Sequence, residues 1–265
     1  MLMQIYTTVL YQPLFNLLVF FYNILPDIGI AIILLTIVVK AIIWPLSHKG
    51  MKSQKVLQNL QPKMDALKEK YKDDKEALGR ETMALYKKEK INPLASCLPL
   101  LIQLPIIIAV FRVFRAIFAE TVDFSLLYSF VSIPEAINPM MLGFLDLSKP
   151  QIFLAILAGL AQFWQSRIML KKSSNSKAAD GKKKQLSLPE TMSKQMMYFM
   201  PIITVFIASS FPGGLALYWL LITLLGVLDQ HFINKSVDKS PEGNIPTPPA
   251  PPAPPIPPVP EVIDV

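Results

Sequence analysis

Cysteine and histidine are scarce in this 265-residue chain, which contains one cysteine, Cys97, and two histidines. A single cysteine excludes an internal disulfide and any multi-cysteine metal centre, and Cys97 has the setting of a small apolar residue. The sequence also has no glycine-rich phosphate loop, no nucleophile elbow and no HExxH pattern. We therefore expect no catalytic site, no metal site and no cofactor.

Charged residues are absent from two regions of the sequence, and each absence supports a prediction. No lysine or arginine precedes Lys40, so the cationic region of a cleavable signal peptide is lacking and we expect the N-terminus to be retained. No acidic residue occurs in the apolar middle of the long hydrophobic runs, and Asp27 and Asp229 lie near run ends. The sequence therefore predicts that Lys40 has no carboxylate partner within the bilayer.

Long apolar runs dominate what is present, because 52% of the residues are hydrophobic. A bilayer core about 30 Å thick needs about 20 helical residues to cross it. Five runs approach that length, which predicts an all-α polytopic protein with five transmembrane helices at 28–46, 98–117, 152–168, 196–211 and 215–233. Residues 11–25 are apolar but interrupted by Pro13, Asn16 and Asn23, which favours an interfacial helix within an N-terminal segment, 1–26.

Basic residues are concentrated in two connections between these runs. Residues 48–92 contain twelve Lys and Arg against seven Asp and Glu, and 171–195 contain seven lysines, whereas 120–150 carry four acids and one lysine. By the positive-inside rule, five spans in the plasma membrane then place the N-terminus outside and both basic connections and the C-terminus in the cytoplasm. The basic charge could also attract anionic lipid headgroups or ribosomal RNA, but no motif predicts sequence-specific nucleic-acid binding.

The segments outside the runs have distinct characters. Residues 48–92 predict a cytoplasmic helical hairpin, with apolar residues at helical spacing, a break at Pro62 and a turn at 72–74. Within the second cytoplasmic connection, 171–195, residues 173–184 predict disorder. The five-span core, 27–233, is followed by a disordered, proline-rich cytoplasmic tail, 234–265, which is either a spacer or a ligand for a proline-binding domain.

Four polar side chains inside the apolar runs are candidate functional groups, because polar groups at bilayer depth cost free energy unless they are solvated or paired. They are Lys40, Gln103, Gln162 and Gln165. The two last glutamines are three residues apart and share a helix face. If the four face inward together, they wet a cavity in which Lys40 attracts acidic segments; the alternative is that Lys40 snorkels to the membrane surface.

Three stretches in order, TIVVKAIIWPLSHKGMKSQK, NPLASCLPLLIQLPIIIAVFRVFR and FPGGLALYWLLITLLGVLDQ, resemble the YidC-type membrane protein insertases. The resemblance implies a five-span core with a hydrophilic groove open to lipid and cytoplasm, where Lys40 replaces the family's usual arginine. It places Tyr218 and Trp219 in the groove, together with Gln165 or Gln162. Helix packing and an interfacial belt are alternative roles for the two aromatic residues.

The resemblance also implies a function. It indicates a membrane protein insertase and chaperone, similar to the family's short forms without a large periplasmic domain, and not an enzyme. Nascent membrane proteins and the lipid bilayer are the expected partners, with the ribosome and the Sec translocon as further candidates. Two other functions remain open: a small anion channel or permease that uses Lys40 for selectivity, and a scaffold whose basic loops dock ribosomes or lipid.

Overall fold

The computed structural model of the chain describes residues 2–89, 98–171 and 188–238, and these are mostly helical. The helices are α1 (Leu2–Tyr6), α2 (Gln12–Ile24), α3 (Ile28–Asn59), α4 (Gln61–Lys70), α5 (Lys75–Lys88), α6 (Leu98–Ile117), α7 (Ile152–Lys171), α8 (Leu188–Ser209) and α9 (Gly213–Asp238). A π-helical turn, Thr7–Tyr11, joins α1 to α2. Strands β1 (Met140–Met141) and β2 (Leu145–Asp146) pair antiparallel between α6 and α7.

The five apolar runs are helical, as the sequence predicts. The bounds of α6 match the prediction, α7 and α9 extend beyond their runs, and α8 begins earlier, at Leu188, but ends at Ser209, short of the predicted residue 211. By length and hydropathy, three helical stretches in the described ranges could cross a membrane, Met3–Ile24, Ile28–Met51 and Gly213–Ile233, while Ile152–Ile168 and Tyr198–Ser209 are apolar but shorter. The count of five spans therefore stays a prediction.

The first span and the first arm of the hairpin form one helix. The apolar run ends near residue 46, but α3 continues through Pro45 to Asn59, because the lysines, glutamines and methionine that follow are good helix formers. The predicted break at Pro62 is confirmed, since this proline lies in the first turn of α4. An ion pair joins the start of α4 to the residue that follows α5: Lys63 Nζ lies 2.6 Å from Glu89 Oε1.

The N-terminal helix is not interrupted where the sequence suggested. Pro13 occupies the first turn of α2, where a missing amide proton costs no hydrogen bond. Asn16 is 3% exposed, and its side chain donates a hydrogen bond to Leu126 O (2.9 Å) and accepts one from Tyr128 N (2.6 Å). The asparagine that looked like a helix break is therefore an anchor for a distant part of the chain.

The connection from α6 to α7, residues 118–151, runs along α2. Further along that helix, Asn23 Nδ2 donates to Ser132 O at 2.7 Å, and Tyr22 Oη accepts from Asn138 N at 2.8 Å. Just beyond the helix, Asp27 Oδ2 accepts from Leu142 N at 2.6 Å. These bonds make α2 and the connection one packed layer. Its interfacial placement stays a prediction, because Met3–Ile24 is also long and apolar enough to span.

The buried core lies where α2, α3, α6 and α9 meet. Its fully buried large side chains include Phe15, Ile32, Leu35, Phe114 and Tyr218. Helix α7 packs on α8 and α9, and large apolar side chains on the outer faces of α7 and α8 are exposed, as expected of helices in lipid: Phe153, Leu160, Trp164, Phe199, Ile202 and Phe206. Residues 234–238, predicted as the start of the disordered tail 234–265, are instead the end of α9. The rest of that tail, the predicted disorder at 173–184 and Cys97 lie outside the described residues.

Candidate functional site

Lys40 and Asp229 form an ion pair between α3 and α9. The distance from Lys40 Nζ to Asp229 Oδ2 is 2.6 Å, and the two side chains are 12% and 10% exposed. The prediction that Lys40 has no carboxylate partner is therefore wrong. Lys40 lies six residues before residue 46 and Asp229 four before residue 233. These distances correspond to about 9 Å and about 6 Å of helix rise from the C-terminal ends of the two runs, so the two residues are nearly level in helices that run in the same direction.

Trp44 completes the surroundings of the carboxylate. Its indole Nε1 donates a hydrogen bond to Asp229 Oδ1 at 3.0 Å. Trp44 follows Lys40 by four residues on α3, so the ammonium and the indole lie on one helix face. Trp44 is 48% exposed, whereas Lys40 and Asp229 are nearly buried. One edge of the site is therefore open beside the indole. Neither Trp44 nor Asp229 was among the predicted site residues, although the similar depths of Lys40 and Asp229 and the four-residue spacing of Lys40 and Trp44 could have indicated them.

Gln103 and Tyr218 form a second polar contact with α9. Gln103 Nε2 donates to Tyr218 Oη at 3.1 Å, and Tyr218 is 1% exposed. Tyr218 precedes Asp229 by eleven residues, which is close to three helical turns, so both lie on the same face of α9 about 16 Å apart. On that face of α9, Tyr218 accepts a hydrogen bond from Gln103 of α6, and Asp229, at another depth, pairs with Lys40 of α3.

The two glutamines of α7 have different surroundings. Thr204 Oγ1 of α8 donates a hydrogen bond to Gln162 Oε1, which fixes Gln162 between α7 and α8. Gln165 lies against α9, because a Cβ added at Gly226 would be 2.5 Å from Gln165 Nε2. Glycine at 226 thus lets the amide of Gln165 reach the backbone of α9. Of the pair that the sequence left open, Gln165 is the one beside the helix that carries Tyr218 and Asp229.

The predicted site residues occur as separate contacts and not as one cluster. Lys40, Gln103 and Gln165 each contact α9 at a different depth, whereas Gln162 accepts a hydrogen bond from α8. Trp219 is half-buried beside Tyr218. In the described ranges, no three His, Cys, Asp or Glu side chains are grouped so that they could hold a metal ion. What Lys40 and Gln103 offer is an ion pair and a hydrogen bond on one face of α9.

The electrostatics of the site follow from the ion pair. The positive charge of Lys40 and the negative charge of Asp229 sum to zero, so the site contains a compensated charge pair. A buried pair of this kind contributes little net stability, but removal of either member leaves a charge without its partner. The pair therefore connects α3 to α9, and substitution of either residue leaves the charge of the other unpaired.

Comparisons with known proteins find similarity over most of the chain. The family model described as 60Kd inner membrane protein matches residues 20–240. The chain is similar to the membrane protein insertase YidC of Pelobacter propionicus (37% identity over 232 residues) and of Geobacter sulfurreducens (35% over 228). These alignments cover 87% and 85% of this chain but 39% and 37% of those proteins, so it spans about two fifths of their length.

A solved structure is also similar. It is described as an active YidC insertase crystal structure with the first transmembrane domain resolved, and it matches with a TM-score of 0.54 and 25% sequence identity. The match covers 84% of this chain and 46% of that chain. The arrangement of the helices described above is therefore shared with that protein.

Proposed function

Because the chain belongs to the 60Kd inner membrane protein family, we propose that it is a membrane protein insertase and chaperone of the cell inner membrane. The observation that carries the proposal is the extent of the family match. Residues 20–240 include every helix from α3 to α9 and therefore all six predicted site residues. The relatives named membrane protein insertase YidC align over 232 and 228 residues of the chain, with 37% and 35% identity.

The mechanism we propose is that polar side chains lower the cost of moving a hydrophilic substrate segment across the bilayer. A polar group in hydrocarbon costs several kcal/mol unless it is solvated or paired. Lys40, Gln103 and Gln165 place charge and amide groups at successive depths along α9. The substrate's apolar span then enters lipid, which supplies about 0.8 kcal/mol per buried methylene. No nucleotide hydrolysis is needed in this scheme.

The membrane topology is part of the proposal. Helices α3, α6, α7, α8 and α9 cross the membrane, the N-terminus is outside, and the hairpin and the C-terminus are cytoplasmic. The distribution of basic residues supports this orientation. The bonds between α2 and the connection 118–151 support an interfacial α2, since that connection carries Glu120, Asp123, Glu135 and Asp146. A helix tied along its length to such a segment lies with it at the outer surface.

Substrates and lipid are the proposed partners, and the basic hairpin is the surface for a ribosome or Sec translocon contact. We propose no sequence-specific nucleic-acid binding. An anion channel would need a positive charge that is free to attract anions along the path. The Lys40–Asp229 pair compensates that charge, so the structure gives the channel alternative less support than the insertase.

Reconstitution of the full chain tests the proposed function. Liposomes with the purified protein should insert a small membrane protein that has a short polar tail, and the tail should become protected from external protease. Protein-free liposomes and liposomes with an unrelated polytopic protein are the controls. Equal protection in all three would contradict the insertase, and chloride flux in place of protection would favour the channel.

Topology is tested by cysteine labelling. Replacement of Cys97 by alanine gives a background without thiols, because Cys97 is the single cysteine. A cysteine at Met83, which is exposed on α5, should react with an impermeant reagent from the cytoplasmic side only, whereas one at Phe130, exposed in the connection, should react from outside. The reverse pattern would overturn the orientation.

A further inference from the structure

We propose that Asp229 is an internal competitor for Lys40, which holds α3 against α9 until an acidic segment of a substrate takes its place. The inference rests on the proposed insertase function and adds a residue that sets its substrate preference. In this scheme, Lys40 is never a bare charge. It exchanges one carboxylate, that of Asp229, for another, that of the substrate.

The geometry shows a carboxylate already bound at the position where a substrate carboxylate would bind. Asp229 Oδ2 lies 2.6 Å from Lys40 Nζ, and Oδ1 accepts a hydrogen bond from Trp44 Nε1 at 3.0 Å. Both groups come from one face of α3 and engage both oxygens, so together they recognise a carboxylate group. The carboxylate is supplied by the opposite helix of the same chain.

The exposure of the three side chains provides a route for exchange. Trp44 is 48% exposed while Lys40 and Asp229 are 12% and 10% exposed, so the carboxylate site is nearly covered but open on the indole side. A segment that arrives beside Trp44 can contact Lys40 without prior separation of α3 and α9. Asp229 lies four residues before residue 233, about 6 Å of helix rise, so the displaced carboxylate is close to cytoplasmic water.

The energetics of exchange distinguish acidic from neutral segments. A neutral segment that separated Lys40 from Asp229 would leave two charges without partners, which is costly in a nearly buried site. An acidic segment replaces the partner that it removes, so Lys40 stays neutralised throughout. Because exchange of one carboxylate for another changes the free energy little, the substrate segment also dissociates readily, as passage through a binding site requires. Asp229 therefore lowers the net affinity of Lys40 for an acidic segment, so that the segment is not trapped.

A matched pair of substitutions at Asp229 tests this inference in the full chain in liposomes. Asp229→Asn keeps an acceptor for Trp44 but removes the competing charge, whereas Asp229→Glu keeps the charge as a control. Two substrates are compared that differ only in whether the tail is acidic or neutralised. We expect Asp229→Asn to raise the insertion rate of the acidic substrate about fivefold, at the low end of usual coupling between ligands. The ratio of acidic to neutral insertion should rise, and Asp229→Glu should keep the wild-type ratio.

A binding measurement on the wild-type chain keeps the test independent of how well Asp229→Asn folds. Trp44 in 5-fluorotryptophan-labelled protein, assigned through Trp44→Phe, should shift its fluorine resonance on addition of an acidic peptide and not of its amidated counterpart. If the wild type inserts substrates but neither the resonance nor the Asp229→Asn ratio responds, the competitor role is wrong while the insertase stands. If the wild type inserts nothing, the proposed function itself fails.

Discussion

The amide nitrogen of Gln103 lies 3.1 Å from the hydroxyl oxygen of Tyr218, so α6 donates a hydrogen bond to α9 inside the buried core. Tyr218 is 1% exposed, and its ring packs among the apolar side chains that join α2, α3, α6 and α9. Hydrogen bonds between membrane helices contribute about 0.6 kcal/mol on average. The ring of Tyr218 therefore contributes more to stability than its hydroxyl group does.

Substitutions at Tyr218 separate these two contributions. Tyr218→Phe should lower the free energy of unfolding by about 1 kcal/mol, because Gln103 loses its acceptor. Tyr218→Ala should cost about 3–5 kcal/mol through the cavity left by the ring. Both are measured by reversible unfolding in mixed micelles. Normal stability with abolished insertion in Tyr218→Phe would instead assign the hydroxyl a direct role in contact with substrate.

Lys40 and Asp229 should behave as a coupled pair in stability. Lys40→Ala leaves the carboxylate of Asp229 without its cation, which should cost about 3 kcal/mol. Lys40→Arg keeps the charge and should be close to wild type, while Lys40→Glu should be the least stable because it faces Asp229 with a like charge. The double variant Lys40→Ala/Asp229→Asn should recover most of the loss, and a Lys40→Ala protein as stable as wild type would contradict the ion pair.

Gly159 marks close contact between α7 and α8, and the effect of a larger residue there is measurable. A Cβ at Gly159 would overlap Val205 Cγ2 and lie 3.1 Å from Pro201 O. Gly159→Ala should therefore lower the free energy of unfolding by about 1–3 kcal/mol through overpacking. Gly79 on α5 is the matched control, because a Cβ there has nothing within 4 Å. Gly79→Ala should stabilise the hairpin by up to about 1 kcal/mol, and equal effects at both positions would argue against close α7–α8 packing.

Asn16 should control how firmly the connection 118–151 is held. Asn16→Ala removes a donor to Leu126 O and an acceptor for Tyr128 N at a site that is 3% exposed. We expect faster hydrogen exchange at the Tyr128 amide and faster cleavage of the connection by external protease. Asn23→Ala, which removes one exposed bond, should have a smaller effect. Unchanged exchange at Tyr128 in Asn16→Ala would show that the connection is held by other contacts.

The helices could be predicted from the sequence because long apolar runs have few alternatives to a helix in a membrane. The contacts between helices were harder to anticipate. The sequence gives the depth of Asp229 within α9 but not that α3 and α9 are neighbours, so the partner of Lys40 was missed. The roles of Gln162 and Gln165 depend on the rotation of α7, which a three-residue spacing on one face does not define. Asn16 looked like a helix break because its partners are 110 and 112 residues away.

The layer formed by α2 and its connection has a consequence for sequence variation. On the connection side, the hydrogen bonds use backbone groups: the carbonyls of Leu126 and Ser132 and the amides of Tyr128, Asn138 and Leu142. Replacement of a side chain in this stretch leaves those groups in place, whereas insertion or deletion of one residue moves every later amide out of line with α2. Residues 126–142 are thus expected to vary in residue type at constant length, and an epitope tag would be tolerated outside this stretch but not within it.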